Sequence, residues 1–175
     1  MLQAINEQYN RLLTTLQAEI VRVQEFHRNV LRCRKGCCQC CQEISLLPVE
    51  AAVIRNFGRT FLPEGWEASH FKAPPGSCPF LRDRLCAIYQ VRPIICRTHG
   101  LPVAYVDPER EVIEVSACPV NFEADYEFSP EGLLFLDPHN EKLRSLNAAY
   151  LRERGVEMPE RIPLGSIFSR SDLER

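Results

Sequence analysis

Nine consecutive residues, Cys33-Arg34-Lys35-Gly36-Cys37-Cys38-Gln39-Cys40-Cys41, contain five cysteines, and four more follow at Cys78, Cys86, Cys96 and Cys118. A cysteine is either inert in a core, oxidised to a bridge or bound to a metal, and that choice constrains this chain more than any other feature. The spacing Cys33-x3-Cys37-x2-Cys40 puts three thiols in one tight knuckle, near enough to face one centre. A metal ion is the economical reading. It converts mutually repelling thiolates into ligands and releases their protons as it binds.

The alternatives are a disulfide framework or reduced core cysteines, and the rest of the chain argues against both. Nine is an odd number of cysteines, and in 175 residues it falls below the density of disulfide scaffolds. Glu7, Arg11, Glu19 and Arg22 interrupt the N-terminal segment, so no secretory leader is expected there. No run approaches the roughly 18 continuous apolar residues of a membrane span. A cytoplasmic location follows as the expectation. In that reducing setting clustered cysteines bind metal or carry redox chemistry rather than form lasting bridges. With 21 basic and 23 acidic side chains the formal charge is −2, which gives no bulk attraction to nucleic acid or membrane.

The expected fold class is α+β and mainly helical: a long N-terminal helix, a cysteine-rich metal-binding core with a small β-hairpin, and a C-terminal helix. Leu2, Ile5, Tyr9, Leu12, Leu16, Val23, Phe26 and Val30 recur in steps of three and four, which predicts one helix over residues 2–30. Pro48 and Glu50 suit the first turn of a helix running to about Phe57. Residues 58–77 suggest a loop with Trp66 and Phe71 folded onto the core. Cys86 to Val91 suggests a helical turn, stopped at Arg92 by Pro93. Leu101 to Val106 and Glu111 to Ser116 suggest two strands joined by the turn Asp107-Pro108-Glu109-Arg110. Asp137 and Pro138 suit the N-cap and first position of a helix reaching Arg154, with Gly155 at its end. The resulting division is residues 1–32 as helix, 33–155 as metal-binding domain and 156–175 as a tail extended over the surface.

At about 1.5 Å per residue the first helix would be some 45 Å long, whereas a chain of this size has a radius of gyration of only about 16 Å. Either the final helix, through Leu143, Leu146 and Tyr150, folds back along its apolar seam, or a second copy does. The length favours a homodimer through this helix.

Cys33, Cys37, Cys40 and Cys41 come from the knuckle, Cys78 and Cys86 flank a short loop, and Cys96 and Cys118 bracket the hairpin. Four thiolates complete a zinc site or hold a cubane iron–sulfur cluster, so eight would serve two sites or one shared polynuclear site. Adjacent side chains diverge, which points Cys40 and Cys41 at different metals. Two zinc tetrathiolates and two oxidised cubane clusters carry similar negative charge, so zinc and iron stay open. Arg32, Arg34, Lys35, Arg82, Arg84, Arg92 and Arg97 flank the cysteines and can offset that charge. Cys96 and His99, three apart, can pair as thiolate and imidazole, or His99 can ligate. The Cys-x3-Cys-x2-Cys spacing is shared with radical S-adenosylmethionine enzymes, but the chain beyond Cys41 lacks their alternating strands and helices. His27, His70 and His139 have no partner in sequence that sets them apart.

Cys-x3-Cys-x2-Cys-Cys, Cys78-Pro-Phe-Leu, Cys86-Ala-Ile-Tyr and Arg92-Pro-x2-Cys96-Arg97 together resemble the CxxCxxCC (YkgJ-like) family, whose members are described as zinc- or iron-chelating. By position the resemblance implies Cys33, Cys37, Cys40, Cys41, Cys78, Cys86, Cys96 and Cys118 as the recurring cysteines. Cys38 departs from it, standing where a small residue is usual. The function implied is metal binding with a structural, carrier or sensor role. Flagellin lysine methylase contains a similar cluster, so the alternative is a metal-dependent enzyme acting in protein modification or redox chemistry.

Overall fold

A computed structural model of the protein describes residues 2–61, 76–107, 109–156 and 161–168. Its longest element, α1 (Leu2–Phe26), follows the predicted apolar steps but ends at Phe26 rather than Val30. The cause is His27. It takes the buried position of the seam at 2% exposure, leaving Phe26 52% exposed. The Gly132 carbonyl can only accept, so His27 Nε2 donates to it at 2.9 Å and Nδ1 accepts from the Tyr126 hydroxyl at 3.1 Å. With both ring nitrogens satisfied, the chain leaves the helix in a turn closed by Val30 N–H to His27 O.

α4 (Asp137–Arg154) packs along α1. Leu143, Leu146, Tyr150 and Leu151 meet Ile5, Tyr9, Leu12, Leu16, Ile20 and Val23 in one apolar core. The seam expected to seat a second copy is therefore covered within one chain, and Leu16 keeps no exposed surface at all. Of the two covers expected for this seam, α4 supplies the one within the chain, its 18 residues folding back along α1. Gly155 closes α4 in the left-handed conformation at φ 65°, as expected. Asp137 does not act as the N-cap. It is the first residue of α4, and its carboxylate accepts the Val106 backbone N–H at 2.8 Å, tying the helix to the sheet instead.

That sheet contains the predicted hairpin, β4 (Val103–Asp107) against β5 (Val112–Ser116), registered Val103 to Ser116 and Asp107 to Val112. β6 (Leu134–Phe135) adds to β4 in parallel, a strand too short to show alternation in sequence.

α2 (Pro48–Phe61) starts where Pro48 predicts and continues past Phe57 through a buried Gly58. Trp66 and Phe71 lie outside the described residues. α2 faces two cores: Val49 packs into the α1–α4 core, and Ala51 and Ile54 pack into a second. Leu46, Phe80, Ile88, Leu164, Ile167 and Phe168 complete the second core. Residues 161–168 thus do not lie over the surface. β7 (Ile162–Pro163) pairs with β1 (Ser45–Leu46) and feeds Leu164, Ile167 and Phe168 inward, because the second face of α2 needs an apolar cover. No helix among the described residues is long and apolar enough to cross a membrane.

Candidate metal centre

The knuckle is two consecutive tight turns. Cys37 N–H bonds Arg34 O at 2.9 Å, with Gly36 at φ 90°, and Cys41 N–H bonds Cys38 O at 3.0 Å. The first turn needs a residue at positive φ in its third position, which is why glycine stands there. Cys41 O then accepts Cys78 N–H at 3.1 Å, joining two cysteines far apart in sequence. β2 (Leu81–Arg82) and β3 (Leu85–Cys86) form a hairpin turned by Asp83 and Arg84, both at positive φ. Arg84 Nε donates to Gly36 O at 3.0 Å, holding that hairpin against the knuckle. Cys86 therefore lies in a strand rather than in the helical turn expected from Cys86 to Val91; only Tyr89–Val91 is helical, and Pro93 ends it. α3 (Ile94–Thr98) follows Pro93 and carries Cys96.

All nine cysteines are free thiols. Their mutual influence sorts eight of them into two sets. Partial shielding from water raises the Cys40 thiol although the residue as a whole is exposed, its own backbone hydrogen bond opposes the rise, and the thiols that push it further are Cys33, Cys37 and Cys118. Burial holds Cys96 up to about 12, and the thiols that add to it are Cys78, Cys86 and Cys41. Cys41 is likewise held up to about 12, by burial first, then by its neighbour Cys40 and by Cys78 and Cys86. Burial raises Cys78 and Cys86 as well. One quartet is Cys33, Cys37, Cys40 and Cys118, the other Cys41, Cys78, Cys86 and Cys96. They meet at the adjacent pair Cys40–Cys41, and Cys40 is the first of the thiols felt by Cys41.

The surroundings differ. Cys33 and Cys40 are exposed, with Cys37 and Cys118 half-buried. In the other quartet Cys78 is part of the second core, and Cys41 and Cys86 pack against it. Of the flanking cations, Arg92 offsets charge at Cys86 and Cys96 and donates Nη1 to Cys96 O at 3.4 Å. Arg97 instead braces the backbone, donating to Arg92 O at 2.7 Å and Gln90 O at 2.8 Å.

Three residues that sequence reasoning passed over hold the quartets in place. Asn121 accepts Arg32 N–H at 2.8 Å and donates Nδ2 to Gly100 O at 2.6 Å and to Cys33 Sγ at 3.2 Å. Gly100, at φ 96°, leaves no room for a side chain, since a Cβ would stand 2.6 Å from Cys33 Sγ. Glu50, 4% exposed, accepts Ile94 N–H at 3.0 Å and the Tyr9 hydroxyl at 3.4 Å. It thereby fixes the start of α3, and with it Cys96, to α1 and α2. A turn built on Cys118 hints at Asn121, whose N–H bonds Cys118 O at 2.9 Å. Nothing in sequence marks Glu50 beyond its place in a first helical turn.

Cys38 belongs to neither quartet and is the last of the thiols felt by Cys41. No hydrogen bond joins His99 to Cys96 among the described residues. Burial first, and then the Arg92 charge, lower the His99 imidazole and favour its neutral form.

Soft thiolates in groups of four match zinc or iron, so the donor set fits the metals expected. Among the described residues no three His, Cys, Asp or Glu side chains already converge as a metal ion would require. Closing on an ion requires the sulfurs of each quartet to draw together and to give up the protons that thiolate ligation displaces. No curated protein and no solved structure matches the chain. A protein-family profile described as "Putative zinc- or iron-chelating domain" matches residues 32–119, which span both quartets from the knuckle to Cys118. By that match, over half its length, the chain belongs to the CxxCxxCC family.

Proposed function

We propose that this protein binds metal at two separate thiolate centres of zinc or iron. Cys41, Cys78, Cys86 and Cys96 hold a structural ion or cluster. Cys33, Cys37, Cys40 and Cys118 hold one that exchanges with the surroundings, as a carrier or sensor requires. The observation that carries the reading is the contrast between Cys33 and Cys40, exposed in the knuckle, and Cys78, buried in the second core with Cys41 and Cys86 packed against it. Four thiolates complete a shell, and a closed shell serves binding rather than catalysis, which keeps an open position. Free thiols in this number suit a reducing compartment such as the cytoplasm.

Anaerobic purification followed by elemental analysis and a visible spectrum tests this. The expected result is metal at both centres, colourless if zinc and brown if iron–sulfur. Protein that stays metal-free after expression in zinc- and iron-supplemented medium would overturn it.

A further inference from the structure

Beside the exposed quartet lies an open cleft of about 750 Å³. Arg32, Arg34, Lys35 and Arg84 line it, and no carboxylate does. All four side chains are exposed, and none has an ion-pair partner among the described residues. Arg84 is held at the wall by its bond to Gly36 O. A chain of net charge −2 thus gathers four cations around one concavity.

The quartet alone does not account for them. Four thiolates around a divalent ion carry a charge of about −2, which leaves roughly two positive charges unanswered. A cleft lined by one sign of charge concentrates counter-ions, and guanidinium groups match the paired oxygens of carboxylates and phosphates. The volume suits a small molecule.

We propose that this cleft binds a small polyanion bearing two or more carboxylate or phosphate groups, seated over Cys37 and Cys38. The proposal rests on the metal-binding reading for its charge balance and its purpose: an oxygen-rich anion at this place stands next to the exchanging ion and can hand it over or receive it.

The test is calorimetric titration of the metal-loaded full-length protein with two weakly chelating probes, tricarballylate for carboxylates and fructose 1,6-bisphosphate for phosphates. Metal content is measured before and after. Saturable binding of at least one probe is expected, and which probe binds distinguishes the two sources of charge. Affinity should fall with added salt and drop at least tenfold in Lys35→Glu, with Arg84→Gln as a second variant. Metal-loaded protein that binds neither probe at millimolar concentration overturns the proposal while leaving the metal reading intact. Binding undiminished in both variants overturns it too. Protein that lacks metal yet still binds a probe supports the cleft and defeats the metal reading.

Discussion

The two quartets use the same side chain in opposite surroundings. Cys33 and Cys40 stand exposed in a turn-built knuckle, whereas Cys78 is buried with Phe80, Ile88 and Leu164 in the second core. The exposed set hangs on loop backbone and on one buried amide, Asn121. The buried set is tied to α1 and α2 through Glu50 and to a hairpin through Cys86. The comparison teaches that ligand identity alone does not set the role of a thiolate centre. What the metal holds together does. On the proposed reading, removing an ion from the knuckle should free a loop, whereas removing one from the second core should undo the contact between that core and α3.

Cys96→Ser should separate the quartets most sharply. A structural zinc supplies apparent folding energy of about 10–16 kcal/mol, comparable to a domain's whole stability of about 5–15 kcal/mol. Cys96→Ser should therefore lose one metal and cooperative melting of the central region, whereas Cys40→Ser should lose the other metal and keep its melt. Circular dichroism melts beside elemental analysis of both variants check this. Equal melting temperatures would erase the distinction.

Asn121→Ala tests the exposed side more gently. It removes the donor to Cys33 Sγ and leaves Arg32 N–H without its acceptor. Loss of such a supporting group typically weakens metal binding about 10–100-fold. Competition with a chromogenic chelator should show that loss at one centre only; a loss shared by both centres would mean that they are coupled.

Glu50 gives the buried side a pH dependence. Burial raises its carboxyl above the ordinary 4.5, so the folded chain favours the protonated acid more than the unfolded chain does. Its stabilising contribution is fully present below 4.5 and is lost as pH rises through the folded value. Glu50→Gln is always neutral and still offers an oxygen to Ile94 N–H. The metal-loaded variant should match wild type in acid and melt higher by at most a few degrees near neutrality. Melts of both proteins across the acid-to-neutral range read the difference, and a gap that widens towards acid would reverse the assignment. Smallest of all, Cys38→Ser should leave the metal content nearly unchanged by elemental analysis, since Cys38 belongs to neither quartet.

Much of the frame was legible in the sequence, for identifiable reasons. The apolar period of α1, Pro48 at the start of α2, Gly155 after α4 and the turn sequence between β4 and β5 are local signals, each decided within a few residues. The misjudged parts depend on distant chain. His27 ends α1 because Gly132 and Tyr126 receive its ring. Asp137 leaves the cap to meet Val106. Residues 161–168 turn inward because α2 has a second face to cover. At the site, spacing marked the knuckle and its four distant partners, while setting Cys38 aside rested on the family resemblance. Their sorting into quartets depends on Cys78 reaching Cys41 and on Asn121 reaching Cys33, which no local pattern carries.

The most direct test of two independent, unequal centres is the time course of metal release from anaerobically prepared protein into a chelator in excess at neutral pH. Two phases of equal amplitude are predicted: a fast one that Cys40→Ser removes without changing the fold, and a slow one that accompanies unfolding of the central region. A single phase, or a Cys40→Ser protein that has lost all of its metal, would contradict the account.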